Sequence, residues 1–216
     1  QQEIGAEHAA CFDLSAACTG FLYAMSVADA YIKAGMYKKV LVIGAEVMSQ
    51  VVDWKDRSVC VLFGDGAGAV VLGEDSSGKS IFRLHSDSGS AQALTLGKEN
   101  AVHMNGREIF SFAVRKVPES VKEVLEESET EKEQVKYFIL HQANARMIES
   151  IAKRLDVPVE KFPMNLETHG NTSAASIPVL LDELNRQNRL IPGDVLILSG
   201  FGGGLSWGSA LLEWHK

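Results

Sequence analysis

The sequence predicts an α/β protein made of two related strand–helix–strand halves. Short apolar runs rich in Val, Ile and Leu alternate with longer segments of helical spacing, which is the pattern of α/β folds. The segment 21–34 is apolar on nearly every helical face, as in a helix that is buried on all sides. A third observation is an internal repeat, in which strand, helix and strand follow one another twice.

The first half begins with an apolar run at 11–14, which predicts a buried strand. The buried helix over 21–34 should end at Gly35, because glycine readily adopts the left-handed conformation that closes helices. The β-branched run 40–43 predicts a central strand. Two further strands are predicted around a glycine-rich turn, at 59–63 and 69–72.

A polar segment rich in Gly and Ser, at 74–79, marks the predicted boundary, so we assign residues 1–78 to the first half and 79–216 to the second. The stretch 87–100 has no clear period and is predicted to be a loop. The helix predicted over 107–127 should be kinked or divided at Pro118. The other predicted elements are strands at 81–84, 137–140, 195–199 and 207–212 and helices at 143–155 and 172–188.

The internal repeat pairs the segment 12–18 with the segment 164–171. Each segment is followed by a helix, then by a strand, and then by a glycine turn that opens with phenylalanine. Two such halves around a pseudo-two-fold axis would bring Cys18 and Asn171, both at helix starts, close together.

Composition and charge exclude several classes of protein. The formal net charge of −7 argues against non-specific nucleic-acid binding. No apolar run is long enough to span a membrane, and no secretory signal opens the chain. Three cysteines without close spacing argue against a disulfide framework or a zinc site, and favour a reducing compartment such as the cytoplasm. Because the chain opens at Gln1 and soon enters an apolar stretch, we expect a fragment that lacks an N-terminal region.

Cys18 is the first candidate for chemistry. It lies between a predicted strand and a buried helix, and a sharp turn there presents a nucleophile at the helix N-terminus, where backbone N–H groups and the helix dipole lower the pKa of a thiol. The alternative is a core cysteine, since cysteine is among the most buried residue types. Cys11 and Cys60 lie in apolar runs, and for both the core interpretation is preferred.

Two polar residues beside predicted helices are further candidates. His141 ends a predicted strand, where α/β folds bind ligands, although a histidine that satisfies loop backbone groups explains it equally well. Asn171 lies at a helix start, where asparagine is ordinarily an N-cap, and the adjacent His169 is expected to be structural. The run 202–204 lacks the lysine of a phosphate loop, so its glycines indicate either a close approach of backbone to a ligand or N–H groups that are free to donate. No cluster of His, Cys, Asp or Glu has convincing metal-site spacing.

Six motifs occur in order along the chain: AACTGF around Cys18, DWKDR at Arg57, GDGAGA at Gly64, HQAN at His141, HGNTSAAS at His169 and GFGGG at Gly200. With these motifs, residues 12–214 resemble β-ketoacyl-acyl-carrier-protein synthase III, the initiating condensing enzyme of bacterial fatty-acid synthesis. The Cys–His–Asn set separates this family from the elongating condensing enzymes, which use Cys–His–His. The chain departs from the family in lacking a long N-terminal stretch and in having a shorter loop between His85 and His103.

The resemblance implies a thiolase-like fold, with duplicated halves and helices buried between sheets, and it implies a homodimer. Cys18 would take an acyl group, usually acetyl, from a coenzyme A thioester, while the backbone N–H groups of Cys18 and Gly203 hold the oxyanion. His141 and Asn171 would stabilise the enolate that forms as malonyl-acyl carrier protein loses carbon dioxide, and Phe201 beside Cys18 would favour this step. The product is a 3-oxoacyl-acyl carrier protein, and the reaction needs no metal or cofactor.

Partner contacts follow from the same resemblance. Arg57 matches a residue that contacts the coenzyme A nucleotide, and Gly106 and Asn144 would line the pantetheine tunnel. Basic residues on the following helix suit an acidic carrier protein. The segment that would bind acyl carrier protein comprises Gln142, Ala143, Asn144, Ala145 and Arg146.

Three alternatives are open. A related thiolase-fold enzyme would use branched, longer or aromatic primers, make polyketide or quinolone precursors, or transfer acyl groups without decarboxylation, and an acyl pocket that includes Phe63 and Phe110 would decide between these. A non-catalytic partner subunit would lack the nucleophile, whereas Cys18, His141 and Asn171 are all present. The third alternative is a truncated, inactive product of a longer gene.

Overall fold

The computed structural model describes residues 1–74 and 79–215. The strands in these residues are β1 (Lys39–Glu46), β2 (Gly66–Gly73), β3 (Ile81–Ser86), β4 (Leu94–Leu96), β5 (Val102–Met104), β6 (Tyr137–Leu140), β7 (Val195–Gly202) and β8 (Ser206–Glu213). The α-helices are α1 (Gly20–Lys33), α2 (Gly106–Ser128), α3 (Ala145–Leu155), α4 (Leu166–His169) and α5 (Ser176–Arg186). Short 3₁₀ turns at Ala17–Thr19 and Ser173–Ala175 lead directly into α1 and α5.

Four strands form the main sheet, in the order β3–β8–β7–β6. β6 pairs with β7 in parallel, whereas β8 is antiparallel to both β7 and β3. β1 and β2 form a separate antiparallel pair, in which Lys39 is opposite Gly73 and Glu46 is opposite Gly66. β4 and β5 form a short antiparallel pair of their own.

Alternate residues of the main sheet enter two different hydrophobic cores, because successive side chains of a strand point to opposite faces. Phe138 and Leu140 pack with residues of α2 and α3. Ile139, Leu196 and Leu198 pack on the other face, with residues of α1 and α5. Since α1 and α5 also contact β1 and β2, the two helices lie between two sheets. This confirms the buried helices that the sequence predicted.

Most predicted elements are present, with boundaries shifted by a few residues. α1 is followed by Gly35 at a φ of +70°, as expected of a glycine that closes a helix. α2 continues without a break across Pro118, so the predicted division is wrong. The buried stripe of Val117, Val121 and Val124 holds this helix to the core on both sides of the proline.

Three predictions in the first half are corrected by the structure. Residues 11–14 form no strand, and Phe12 is 64% exposed, because no described strand lies beside them to pair with. Residues 59–63 form turns rather than a strand, since Asp56 accepts N–H groups from Val59 and Cys60 through its carbonyl. The strand β1 pairs only with β2 in the described part of the chain, so it is not central.

These corrections change the setting of two cysteines. Cys11 is exposed and Cys60 is partly exposed in a turn, so neither is the core cysteine that the apolar runs predicted.

The predicted loop at 87–100 contains regular structure. Its 3₁₀ helix, Ser88–Ala93, begins where the Asp87 carboxylate accepts the N–H of Gly89, and it leads into β4. The boundary predicted at 74–79 falls mainly on 75–78, outside the described residues.

Candidate active site

Cys18, His141 and Asn171 line one cavity of about 140 Å³. Its wall is mostly apolar, and such a wall excludes water and strengthens electrostatic interactions inside. The other lining residues are Leu62, Phe63, Leu94, Met104, Gly106, Ile109, Phe110, Ala143, Asn144, Met147, Phe201 and Gly202. A wider depression of about 370 Å³ at the end of α2 is lined by charged side chains and contains none of the candidate residues.

Cys18 lies in a sharp turn immediately before α1. The turn begins at Ala17, whose φ of +47° is uncommon for a residue other than glycine. Ser173 has a φ of +51° at the matching place, three residues before α5. The two halves therefore repeat the same backbone turn, and it is this turn that presents Cys18 in the first half. In this match the counterpart of Cys18 is Ala174, so the predicted alignment of segments 12–18 and 164–171 is shifted by three residues. Cys18 and Asn171 nevertheless line the same cavity, as predicted.

Burial raises the pKa of the Cys18 thiol to about 11. A hydrogen bond from Ser173 opposes this shift, and the negative charge of Glu46 adds to it. The sequence predicted a lowered pKa at the helix N-terminus, but the loss of solvation outweighs the favourable groups. Cys18 is thus a thiol at neutral pH, and its proton must leave as the sulfur attacks.

His141 follows β6 and is 2% exposed. Its backbone N–H donates to the carbonyl of Ser199 at 2.7 Å, and its Nδ1 lies 2.7 Å from Oγ of Ser176. Ser176 Oγ also accepts the backbone N–H of Gln142, at 3.3 Å, so its own proton is available to Nδ1. When Ser176 donates to Nδ1, the ring proton is on Nε2. Burial lowers the pKa of His141 to about 4, so the ring is neutral near pH 7 and donates one hydrogen bond through Nε2.

Asn171 is held by its backbone and by its side-chain oxygen. Its N–H donates to Leu62 and its carbonyl accepts from Gly64, which ties it to the segment 62–64. Oδ1 accepts the backbone N–H of Ser173 at 2.9 Å, which closes an Asx turn. The N-cap positions of the 3₁₀ turn Ser173–Ala175 and of α5 are Thr172 and Ala175, so the prediction of an N-cap at Asn171 is wrong. Because Oδ1 is occupied, the amide group Nδ2 is the part of the side chain that is left to donate.

Phe201 and the following glycines close the cavity beside the nucleophile. The Phe201 ring meets His141 edge to face, with centroids 5.3 Å apart. Gly202 packs so tightly that a Cβ there would lie 2.9 Å from Cβ of Cys18. Gly203 lies next to the same turn, where a Cβ would be 3.5 Å from that of Ala17. The glycines therefore allow the backbone to approach the nucleophile turn, and the predicted approach to a ligand stays a prediction.

Two family models match this chain. One, described as 3-oxoacyl-[acyl-carrier-protein (ACP)] synthase III, matches residues 12–103, and the other, described as the C-terminal part of the same enzyme, matches residues 125–214. The chain belongs to the 3-oxoacyl-[acyl-carrier-protein] synthase III family. It is therefore an acyltransferase with the thiolase-like fold, and it acts in the initiating condensation of fatty-acid synthesis.

Individual relatives agree with this assignment. Beta-ketoacyl-[acyl-carrier-protein] synthase III 1 of Bacillus cereus is 48% identical over the whole chain, which covers 70% of that relative. The crystal structure of the Aquifex aeolicus synthase III has a TM-score of 0.96 and 44% identity, and the match covers 99% of this chain and 70% of that one. The priming β-ketosynthase of the R1128 polyketide pathway is also similar, with a TM-score of 0.92 and 37% identity over 98% of this chain and 68% of that one.

The residues expected to bind substrate in a synthase III are divided between the cavity and the surface. Gly106, the first residue of α2, and Asn144, the N-cap of α3, both line the cavity. Arg57 is exposed in the turns that precede β2 and is not among the lining residues. A nucleotide that contacts Arg57 would therefore lie at the surface, and the rest of the substrate would have to extend from it into the cavity.

The segment expected to bind acyl carrier protein is only partly accessible. Gln142 is fully buried, its amide donating to the carbonyl of Leu140 and its Oε1 accepting the N–H of Asn165. Its side chain is therefore unavailable to a partner, which corrects its assignment as a contact residue. Ala145 and Arg146 are exposed at the start of α3.

His169 is structural, as the sequence predicted: its Nε2 lies 2.5 Å from Oε1 of Glu183, and it does not line the cavity. Two serines were not predicted from the sequence: Ser173, whose hydroxyl is hydrogen-bonded to Cys18, and Ser176, whose hydroxyl contacts His141. Both serines stand in the motif HGNTSAAS, so their spacing after the asparagine was the available signal.

Within residues 1–74 and 79–215, no group of three or more His, Cys, Asp or Glu is placed to bind a metal, and no helix is long and apolar enough to cross a membrane.

Proposed function

We propose that the chain joins a short acyl group, acetyl in the first instance, to the two-carbon unit of malonyl-acyl carrier protein, with Cys18, His141 and Asn171 as its catalytic residues. The observation that carries this proposal is the shared cavity, in which one thiol and two neutral hydrogen-bond donors line the same apolar space. A thiol suits acyl transfer, and paired donors suit an enolate.

In the first half-reaction, the Cys18 sulfur attacks the thioester carbon of acyl-coenzyme A. The new C–S bond forms as the bond to the coenzyme A sulfur breaks, and the proton lost by Cys18 ends on the released coenzyme A thiol. Negative charge develops on the carbonyl oxygen at this stage. The backbone N–H groups of Cys18 and Gly203 would stabilise it, which is consistent with the packing of Gly203 beside the nucleophile turn.

In the second half-reaction, Nε2–H of His141 and Nδ2–H of Asn171 donate to the thioester oxygen of the malonyl group. The bond to the carboxylate breaks, carbon dioxide leaves, and the electron pair forms an enolate whose charge these donors hold. The enolate carbon attacks the acyl-cysteine carbonyl, a C–C bond forms, and the bond between the acyl carbon and the Cys18 sulfur breaks. The released sulfur takes up one proton from solvent, which restores the thiol. Phe201, in edge-to-face contact with His141, keeps water from the enolate.

The chemistry proposed here is carried by side chains and backbone alone, so no cofactor or metal takes part, and coenzyme A thioester and malonyl-acyl carrier protein are substrates. Gly106 and Asn144 would contact the pantetheine arm and Arg57 the nucleotide. Ala145 and Arg146 would meet the carrier protein, together with the partly exposed Ala143 and Asn144. The acidic carrier protein suits the positive charge of Arg146.

We also propose that the protein is a cytoplasmic homodimer. The outer face of β1 and β2 supports the dimer, because Leu41, Ile43 and Val71 are all exposed on it. Sedimentation of the full-length protein at several concentrations tests this. A dimer mass across the micromolar range is the expected result, and a monomer throughout would contradict it.

A second candidate function is the priming of a polyketide with a longer acyl group, and the similarity to the R1128 priming ketosynthase favours it. Competition between acetyl-, butyryl-, isobutyryl- and hexanoyl-coenzyme A in one assay with malonyl-acyl carrier protein distinguishes the two. A product formed mainly from acetyl-coenzyme A supports the first proposal, and one formed mainly from a longer primer supports the second. Malonyl consumption without a 3-oxoacyl product would contradict both.

A further inference from the structure

A chain of hydroxyl groups joins the nucleophile turn to the glycine turn opposite it. Oγ1 of Thr19, the residue after Cys18, lies 2.5 Å from Oγ of Ser206. Ser206 Oγ in turn donates to the carbonyl of Gly203, at 2.9 Å. Thr19 is fully buried and Ser206 is 6% exposed, so water does not compete for these bonds.

The hydrogen bonds between these hydroxyl groups all donate in the same direction, toward Gly203. Because the Ser206 proton is given to the carbonyl of Gly203, the Ser206 oxygen is left to accept, and the Thr19 hydroxyl donates to it. The order is thus Thr19 to Ser206 to Gly203. Its first member follows the nucleophile, and its last is the residue whose N–H the proposed mechanism assigns to the oxyanion.

The two turns are already in van der Waals contact around these bonds. Gly202 lies against Cys18, and Gly203 lies beside Ala17. Packing of this kind sets how closely the turns approach, but it does not fix the rotation of the peptide groups in a run of three glycines. The Gly203 carbonyl belongs to the peptide group 203–204, which is joined at Cα of Gly203 to the group 202–203 that carries the Gly203 N–H. Gly202 is held by its pairing with Ser206 in the β7–β8 ladder, so a hydrogen bond to the carbonyl on the far side of Gly203 limits the rotation left to the N–H between them.

We propose that Thr19 and Ser206 are positioning residues, which orient Gly203 so that its N–H points to the oxyanion formed at Cys18. The inference rests on the proposed function, since it concerns the acyl-transfer step. Loss of one oxyanion donor costs roughly 10²–10³ in rate, and small misplacement of a catalytic group costs up to about 10². Removal of the hydroxyl chain should therefore slow acylation about 10- to 100-fold.

The test compares two reactions of the same sulfur in the full-length protein. Single-turnover acetylation by saturating acetyl-coenzyme A, followed by intact mass, passes through an oxyanion. Alkylation by iodoacetamide is a displacement at carbon that forms none, so it reports only the access and reactivity of the thiol. The variants are Thr19→Val, which removes the hydroxyl at nearly constant volume, and Ser206→Ala. Thr19→Ser restores the hydroxyl.

Ser120→Ala is the matched control. Ser120 and Ser209 form another buried hydroxyl pair, at 2.7 Å, which joins α2 to β8. The control variant loses a bond of the same kind at a place that does not line the cavity. It should acetylate at the wild-type rate.

The expected result is a 10- to 100-fold fall in the acetylation rate constant for Thr19→Val and Ser206→Ala, with alkylation within about twofold of wild type and acetylation restored in Thr19→Ser. Equal loss of both reactions, or a Thr19→Ser variant as slow as Thr19→Val, would show a packing role and overturn the inference. Wild-type acetylation rates in both variants would overturn it as well. A wild-type protein that alkylates but forms no acetyl adduct would overturn the proposed function and this inference together.

Discussion

Nδ1 of His141 and Oγ of Ser176 lie 2.7 Å apart in the interior of the protein, one at the end of β6 and the other at the start of α5. When Ser176 donates in this contact, the ring proton of His141 is on Nε2. The proposed reaction needs a proton on Nε2, where it faces the substrate, and a serine that donates to Nδ1 supplies that tautomer.

The Ser176→Ala variant should lose this control and slow the condensation about tenfold, because a lost hydrogen bond of about 1–1.5 kcal/mol corresponds to roughly that factor. The nitrogen-15 chemical shifts of His141 should move toward a mixture of tautomers. The control is Ser150→Ala, which removes a serine that only donates to the carbonyl of Arg146 on α3. Unchanged rate and unchanged shifts in Ser176→Ala would contradict the assignment.

The Asn171→Asp variant should separate the two half-reactions. A carboxylate accepts the N–H of Ser173 as the amide oxygen does, but it donates nothing to an enolate oxygen. We expect decarboxylation to fall by roughly 10²–10³ while acetylation of Cys18 stays within a few fold of wild type. Rapid-quench measurement of both steps checks this, with the exposed Asn100→Asp as the control. A parallel loss of both steps would place Asn171 in a purely structural role.

The Gly202→Ala variant should be severely impaired. Its Cβ would lie 2.9 Å from Cβ and 3.0 Å from N of Cys18, so the nucleophile turn must move. A displacement near 1 Å costs about 10² in rate. Gly73→Ala, in β2, adds a methyl group that meets no atom within 4 Å and serves as the control. Steady-state rates that match in the two variants would be incompatible with the packing described here.

The neutral state of buried His141 predicts how stability depends on pH. Burial lowers its pKa from 6.5 to about 4, so between these values the unfolded chain binds a proton that the folded protein does not. The contribution of neutral His141 to the free energy of unfolding is therefore fully present above pH 6.5. It is lost as the pH falls toward 4, and the total loss is about 3 kcal/mol. Urea unfolding at pH 7, 5.5 and 4.5, with His141→Gln alongside, measures it. A variant with the same pH dependence as wild type would refute the assignment.

The sequence predicted the residues of the candidate active site more accurately than the strands around them. Cys18, His141 and Asn171 were candidates because each lies beside a predicted helix, but position alone left a structural alternative for all three, and the resemblance to the synthase III family identified them as the catalytic set. The repeat predicted that Cys18 and Asn171 would meet. The strand at 11–14 and the central position of β1 were wrong, since pairing depends on neighbouring strands that local pattern does not reveal. The raised pKa of Cys18 was also missed, because its cause is the depth of burial.

The central claim is that Cys18 carries the acyl group, and the most direct test is intact mass and peptide mapping of the full-length protein after exposure to acetyl-coenzyme A, with Cys18→Ala alongside. We expect one acetyl group, confined to the peptide that contains Cys18 and absent from the variant. No adduct in the folded wild-type protein, or an adduct that persists in the variant, would contradict it.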